Sequence, residues 1–224
     1  MTFTDSGAPL IGISYAAAAW CDDDNDGDLD LLMTGLGATG HRTQLYRNSG
    51  GVLSELPTSL PHLSHAALAW GDYDSDDDAD VLLMGTGASG RTTVLHRNDG
   101  GGQFTNIPLS LPGLDDGAIA WGDFDNDGDP DIAVSGHDAV SGVSRIYRNM
   151  GGGSFVDIGA GLAAVFNSSL AWGDYDKDGD LDLVLTGYTG STAVTRLYRN
   201  NAGLNFTSVS VSFIGLYLSS DRPH

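Results

Sequence analysis

The sequence predicts an all-β protein, a β-propeller of four-stranded antiparallel blades, and three observations carry that reading. Four tryptophans, Trp20, Trp70, Trp121 and Trp172, recur at steps of 50 or 51 residues. Each is followed at once by a cluster of alternating aspartates. Between these landmarks lie short apolar runs that end at Gly, Asn or Asp, and none leaves room for an amphipathic helix of about ten residues. A period near 50 residues marks a unit that cannot bury its own apolar face and must stack on its neighbours. Radial stacking of such units also protects sheet edges. A β-sandwich would use equally short strands but would not repeat itself at this interval.

The third repeat shows the elements in order. Gly117 to Trp121 is a first strand, the acidic loop follows, and Asp131 to Gly136 is a second strand. Ser144 to Arg148 gives a third, the glycines Gly151 to Gly153 a turn, and Ser154 to Ile158 a fourth. The third strands share an LYRN-like ending at Leu45–Asn48, Leu95–Asn98, Ile146–Asn149 and Leu197–Asn200. Phe3, Leu53, Phe104, Phe155 and Phe206 mark the fourth strands at the same step. One domain, 1–224, therefore divides into repeats of about 3–52, 53–103, 104–154 and 155–205, with a terminal strand at 206–214. Phe3 to Ile11 reads as a fourth strand of a preceding blade and Phe206 to Phe213 as that of the last blade, which makes 17 strands.

The 224 residues carry 30 Asp and Glu against 10 Lys and Arg, a net charge of −20. That charge argues against nucleic acid or an anionic membrane surface as partner, since both would repel it. No apolar run approaches the roughly 18 residues of a membrane-spanning helix, and Met1 to Leu10 shows no signal-peptide pattern. One cysteine excludes an intrachain disulfide framework. The four loops hold 22 of the 30 acids, so the rest of the chain is close to neutral. The charge is a local device.

From its first aspartate each loop reads D-x-D-x-D-G-D-x-D, with Asp77 replacing the glycine found at Gly27, Gly128 and Gly179. Alternating carboxylates and a turn glycine suit a hard cation, as in the first half of a helix-flanked calcium loop. The glutamate that such a loop needs at position 12 is absent, since Met33, Leu83, Val134 and Leu185 stand there. The ninth position supplies the closing carboxylate instead. Each pair of carboxylates at 4 Å costs roughly 1 kcal/mol in water and about 4 at an effective dielectric of 20. Calcium, which takes 6 to 8 oxygens, offsets that repulsion better than magnesium, which keeps its waters. Zinc would recruit His or Cys, and no loop contains a histidine. The expectation is about four calcium ions per chain. The second loop is expected to be the weakest, because aspartate accepts a left-handed turn less readily than glycine. Cys21 reads as a small residue in the slot of Gly71, Gly122 and Gly173.

The segment Ala171 to Leu183, A-W-G-D-Y-D-K-D-G-D-L-D-L, followed by T-G and L-Y-R-N, resembles the FG-GAP and VCBS repeats of integrin-alpha-like β-propellers. The resemblance recurs four times and implies a calcium ion in the hairpin between the first two strands of each blade. It implies that Asp22, Asp24, Asp26 and Asp30 bind through side chains and Asp28 through its carbonyl. The matching sets are Asp72, Asp74, Asp76, Asp78, Asp80; Asp123, Asp125, Asp127, Asp129, Asp131; and Asp174, Asp176, Asp178, Asp180, Asp182. Asp23 has no role in that pattern and is expected to face solvent. Family propellers usually have seven blades, sometimes eight, whereas four are visible here. The chain is therefore a closed four-bladed ring, half of an eight-bladed ring completed by a second copy, or part of a larger propeller.

The leading functional expectation is a non-catalytic binding or adhesion module for a protein or glycan ligand, with blades locked by calcium. No G-x-S-x-G or H-E-x-x-H motif supports an enzyme, although accessory or catalytic action on polysaccharide is the alternative. A self-assembling structural unit is the third. Histidines occupy different repeat positions and read as surface or strand residues, with His62 and His65 the one pair close enough in sequence to form a site. Arg47, Arg97, Arg148 and Arg199 repeat with the blades and are expected to pair with a neighbouring blade. Calcium supply points to an extracellular or cell-surface location.

Overall fold

The computed structural model describes residues 4–202 and 205–210 and folds as four four-stranded antiparallel sheets packed together. The first contains β1 (Ser14–Cys21), β2 (Asp30–Gly37), β3 (Gly40–Ser49) and β4 (Val52–Leu56). The second contains β5 (Ser64–Gly71), β6 (Asp80–Gly87), β7 (Gly90–Asn98) and β8 (Phe104–Ile107). The third contains β9 (Asp115–Gly122), β10 (Asp131–His137), β11 (Gly142–Asn149) and β12 (Phe155–Asp157). The fourth contains β13 (Phe166–Gly173), β14 (Asp182–Tyr188), β15 (Ala193–Asn200) and β16 (Phe206–Val209). Strand order follows chain order in every sheet, giving the propeller blades that the repeat predicts.

Register is the same in all four first hairpins. Trp20 lies opposite Leu31, Trp70 opposite Val81, Trp121 opposite Ile132 and Trp172 opposite Leu183. The next pairs are Cys21 with Asp30, Gly71 with Asp80, Gly122 with Asp131 and Gly173 with Asp182. An eight-residue excursion between strands thus always delivers the aspartate at the ninth loop position to the first rung of the ladder.

The core lies between blades. The second strand of each blade reads as a continuous apolar run because both of its faces are covered. Val81 and Leu83 pack toward the first blade, with Leu32, Leu45, Leu63 and Phe104. Leu82 and Met84, on the other face of the same strand, pack toward the third blade with Leu114, Ile132 and Val134. Ala133 turns the opposite way and meets Leu183, Leu185 and Phe206 of the fourth. Each fully buried Leu or Ile side chain contributes roughly 1.5–3 kcal/mol, so the blades hold one another through three apolar seams.

The expected strand at Phe3 to Ile11 is not formed. Phe3 lies outside the described residues, and residues 4–13 carry no strand. No described strand pairs with this segment. Pro9 also lacks a donor and Gly7 turns with a φ of 67°. The described residues therefore hold 16 strands rather than 17. The terminal strand is present as Phe206–Val209, and its expected continuation through 211–214 lies outside the described residues.

Candidate metal centres

Each acidic loop is wound on its own carboxylates. Asp22 accepts the backbone N–H groups of Asp26 at 3.1 Å and Gly27 at 2.9 Å, and Asp26 accepts that of Asp28 at 2.8 Å. The same three bonds recur from Asp72 and Asp76, from Asp123 and Asp127, and from Asp174 and Asp178. Gly27, Gly128 and Gly179 turn with φ of 92°, 94° and 95°. Asp77 adopts the same left-handed turn at 70°, and the N–H groups of Asp76 and Asp77 both still reach Asp72, so the second loop closes like the others at the cost of strain.

The aspartates at the ninth loop position are the most deeply placed. Asp30, Asp80, Asp131 and Asp182 are all buried, and each clamps two separate segments. One oxygen of Asp131 accepts the N–H of Phe124 in the loop at 3.0 Å, and the other that of Asn149 on β11 at 2.8 Å. Asp30 does this for Asp23 and Asn48, Asp80 for Tyr73 and Asn98, and Asp182 for Tyr175 and Asn200. Burial outweighs these bonds and pushes Asp80 and Asp131 up to about 7. Neighbouring aspartates push these two the same way. Asp30 goes the other way: burial raises it, but its contacts with Asp23, the Asn48 N–H and Arg47 outweigh burial and leave its carboxyl lowered.

The folding brings ligand oxygens together in every blade. Asp22, Asp24 and Asp30 place one oxygen each within 4.8 Å of one another, as do Asp72, Asp74 and Asp80, and Asp174, Asp176 and Asp182. In the third loop the set is Asp123, Asp125 and Asp127. Four acidic triads, one per blade, could thus hold metal ions. The donor set fits such an ion: Oδ1 of Asp24 and Oδ1 of Asp125 are buried without a hydrogen-bond partner among the described residues. All-oxygen donors suit a hard cation. Asp131, Asp26, Asp76 and Asp178 share these loops but not the triads. The seventh positions point their side chains elsewhere: Asp28 accepts Gly50 N–H at 2.7 Å, Asp78 the side-chain amide of Asn25 at 2.7 Å, and Asp180 that of Asn126 at 3.0 Å. Asp129 likewise lies outside its triad.

Two expectations are corrected here. Asp23 does not face solvent but is 2% exposed. It stands where Tyr73, Phe124 and Tyr175 stand in the other loops, a position turned toward the next blade. Burial and its contact with Asp30 push its carboxyl up to about 7, while Arg47 at 3.0 Å works against that shift. The repeated arginines, expected to pair with a neighbouring blade, instead lean on their own loops. Arg47 reaches Asp24 at 2.5 Å, Arg148 reaches Asp125 at 2.5 Å and Asp127 at 2.9 Å, and Arg199 reaches Asp176 at 2.8 Å and Asp178 at 3.0 Å. Strand pairing explains this, since the third strand lies beside the second and carries its arginine back to the loop. Arg97 is the exception: it pairs with Asp99 at 2.7 Å rather than with a carboxylate of the second loop.

Cys21 occupies its slot beside Asp30, and burial, then Asp23, Asp22 and Asp30, push its thiol up to about 11, which keeps it protonated and unreactive. His62 and His65 do not form a joint site. His62 accepts the Thr43 N–H at 2.8 Å, whereas His65 pairs with Asp116 at 2.8 Å.

Four blades with a common hairpin, each bearing an acidic cluster that could hold a cation, define a repeat protein built of propeller-type blades. The chain belongs to the FG-GAP-like repeat family, whose profile matches residues 22–83, 72–134 and 135–185. No curated protein matches the chain.

Asp77→Gly relieves the strained turn without removing a ligand. It is expected to stabilise the protein by about 1 kcal/mol, read by urea denaturation, whereas a loss of stability would show that the Asp77 side chain supports the loop.

Proposed function

We propose that this protein is a non-catalytic binding module whose blades are braced by calcium, about one ion per blade. The observation that carries the reading is the fourfold recurrence of one acidic triad at one hairpin. A catalytic centre has no reason to occur four times, while a brace does. Calcium is favoured because the donors are all oxygen and too crowded for the strict octahedron of magnesium. The arginines Arg47, Arg148 and Arg199 supply partial counter-charge, and the ion supplies the rest.

Recognition falls to the opposite end of the blades, where equivalent positions differ in chemistry. Tyr15, His65, Asp116 and Asn167 occupy the same place in β1, β5, β9 and β13, and all are left-handed, with φ between 46° and 50°. Such strain in non-glycine residues collects where function holds it in place. The Tyr15 and His65 rings stack at 4.2 Å, and His65 joins Asp116. Beside the hairpins after the second strands lie clefts of about 430, 450 and 480 Å³, lined in part by Arg42 and Glu55, by His62 and Arg91, and by Arg145 and Asp157. Pockets of this size take small polar ligands such as a sugar or a peptide side chain. The ligand is a protein or glycan, and an extracellular or cell-surface setting supplies calcium in sufficient amount.

Thermal melting with calcium and with chelator tests the brace. At calcium a hundredfold above its dissociation constant one site adds about 2.7 kcal/mol, which in a chain of this size is about 5 °C or more. An unchanged melting temperature contradicts the proposal. A glycan and peptide array probed in calcium tests recognition; binding weakened by Tyr15→Ala supports the strained end as the contact face, and binding that ignores this change does not.

A further inference from the structure

We infer that the two outer faces of this blade set are halves of one joint, and that a second copy of the chain fills them, giving an eight-bladed ring of two chains. The joint can be read inside the molecule, where successive blades meet three times. At each internal seam the side-chain amide of the LYRN asparagine donates across to a loop carbonyl of the preceding blade. Asn98 reaches the carbonyl of Asp23 at 2.8 Å, Asn149 that of Tyr73 at 2.9 Å, and Asn200 that of Phe124 at 2.7 Å. At the last two seams a tryptophan lies on a glycine of the preceding blade. A Cβ at Gly71 would come within 2.8 Å of the Trp121 ring, and one at Gly122 within 2.7 Å of Trp172. Trp121 also donates its ring N–H to the Ala69 carbonyl at 3.3 Å.

The terminal faces carry the unmatched halves. On the first blade Trp20 is 54% exposed, and among the described residues Asn48 donates its amide only within its own blade, to Leu29 at 3.0 Å. On the last blade nothing described lies within 4 Å of a Cβ built at Gly173, and Tyr175 is 47% exposed although its equivalents Tyr73 and Phe124 are 4% and 0%. A cavity of about 210 Å³ opens there, lined by Ala171, Gly173 and Tyr175, the counterparts of the residues that meet Trp121 on the second blade. Trp20 of a second copy fits this cavity as Trp121 fits its own seam, and Asn48 of that copy matches the Tyr175 carbonyl.

Charge agrees at the rim. Across two internal seams the fourth loop position meets the seventh of the next loop, Asn25 with Asp78 and Asn126 with Asp180. On the last blade the fourth position is Lys177, the only lysine in the chain. The group it would meet is Asp28 of a second copy. An ammonium stands where an amide serves internally, at the one seam between separate molecules of high negative charge. Two joints of this kind close a ring of two chains, and eight blades lie within the range that propellers adopt.

Light scattering with bound calcium, at micromolar protein, reads the result directly. The expected mass is twice the 23.3 kDa of one chain. Trp20→Ala removes the knob and Gly173→Leu fills the socket, and each is expected to weaken association by about 30-fold or more, as loss of a buried tryptophan anchor does. Gly173→Leu meets no described atom in the single chain, so its circular dichroism and melting temperature with calcium serve as the control for folding. A monomeric wild type, a dimer that survives both substitutions, or an open string of copies would each overturn the two-chain ring.

Discussion

A buried carboxylate that holds two backbone N–H groups stands at the head of every blade, and the rest of the structure depends on it. Asp30, Asp80, Asp131 and Asp182 each tie a loop to the third strand of the same sheet. Without that tie the loop would have no fixed position relative to the seam, and the cross-blade asparagine bonds would lose their acceptors' register. The cost is an acid buried among acids. At Asp80 and Asp131 burial pushes the carboxyl up to about 7, whereas at Asp30 the bonds to Asp23 and Asn48 and the nearby Arg47 outweigh burial. The triad that could hold a metal ion lies in the same loop that this carboxylate ties to the blade.

The apolar seams and the acidic loops therefore divide the work. Alternation along β6 sends Val81 and Leu83 to one neighbour and Leu82 and Met84 to the other, so stacking needs no further device. The loops fix where the seams end. The first seam departs from the pattern, with Asp23 and Arg47 where the others bury an aromatic ring, so the first blade relies more on charge pairing than its neighbours do.

Much of this was legible in the sequence because the repeat compares each position with itself three more times. The tryptophan step gave the blades, and the alternation of aspartates gave the loops and their carboxylates. The burial of Asp23 is hidden in the sequence because its charge matches the surrounding acids, although its alignment with Tyr73, Phe124 and Tyr175 carries the signal. The partners of the arginines are hidden for a different reason: repetition says that a contact recurs, not whether it lies within a blade or between blades. The strand expected from Phe3 to Ile11 does not form over residues 4–13, where Gly7 turns and Pro9 lacks a donor, local features that an apolar pattern alone does not weigh. The outer faces were legible only in three dimensions, since exposure of Trp20 and Tyr175 has meaning only beside their buried equivalents.

The central claim, that the acidic hairpins are cation sites that set the blade register, is tested most directly by calorimetric titration of metal-free protein with calcium. The account predicts close to four ions per chain, with one lost when Asp125 in the third loop is replaced by alanine and the others retained. Binding of no calcium, or a stoichiometry unchanged by that substitution, would contradict it.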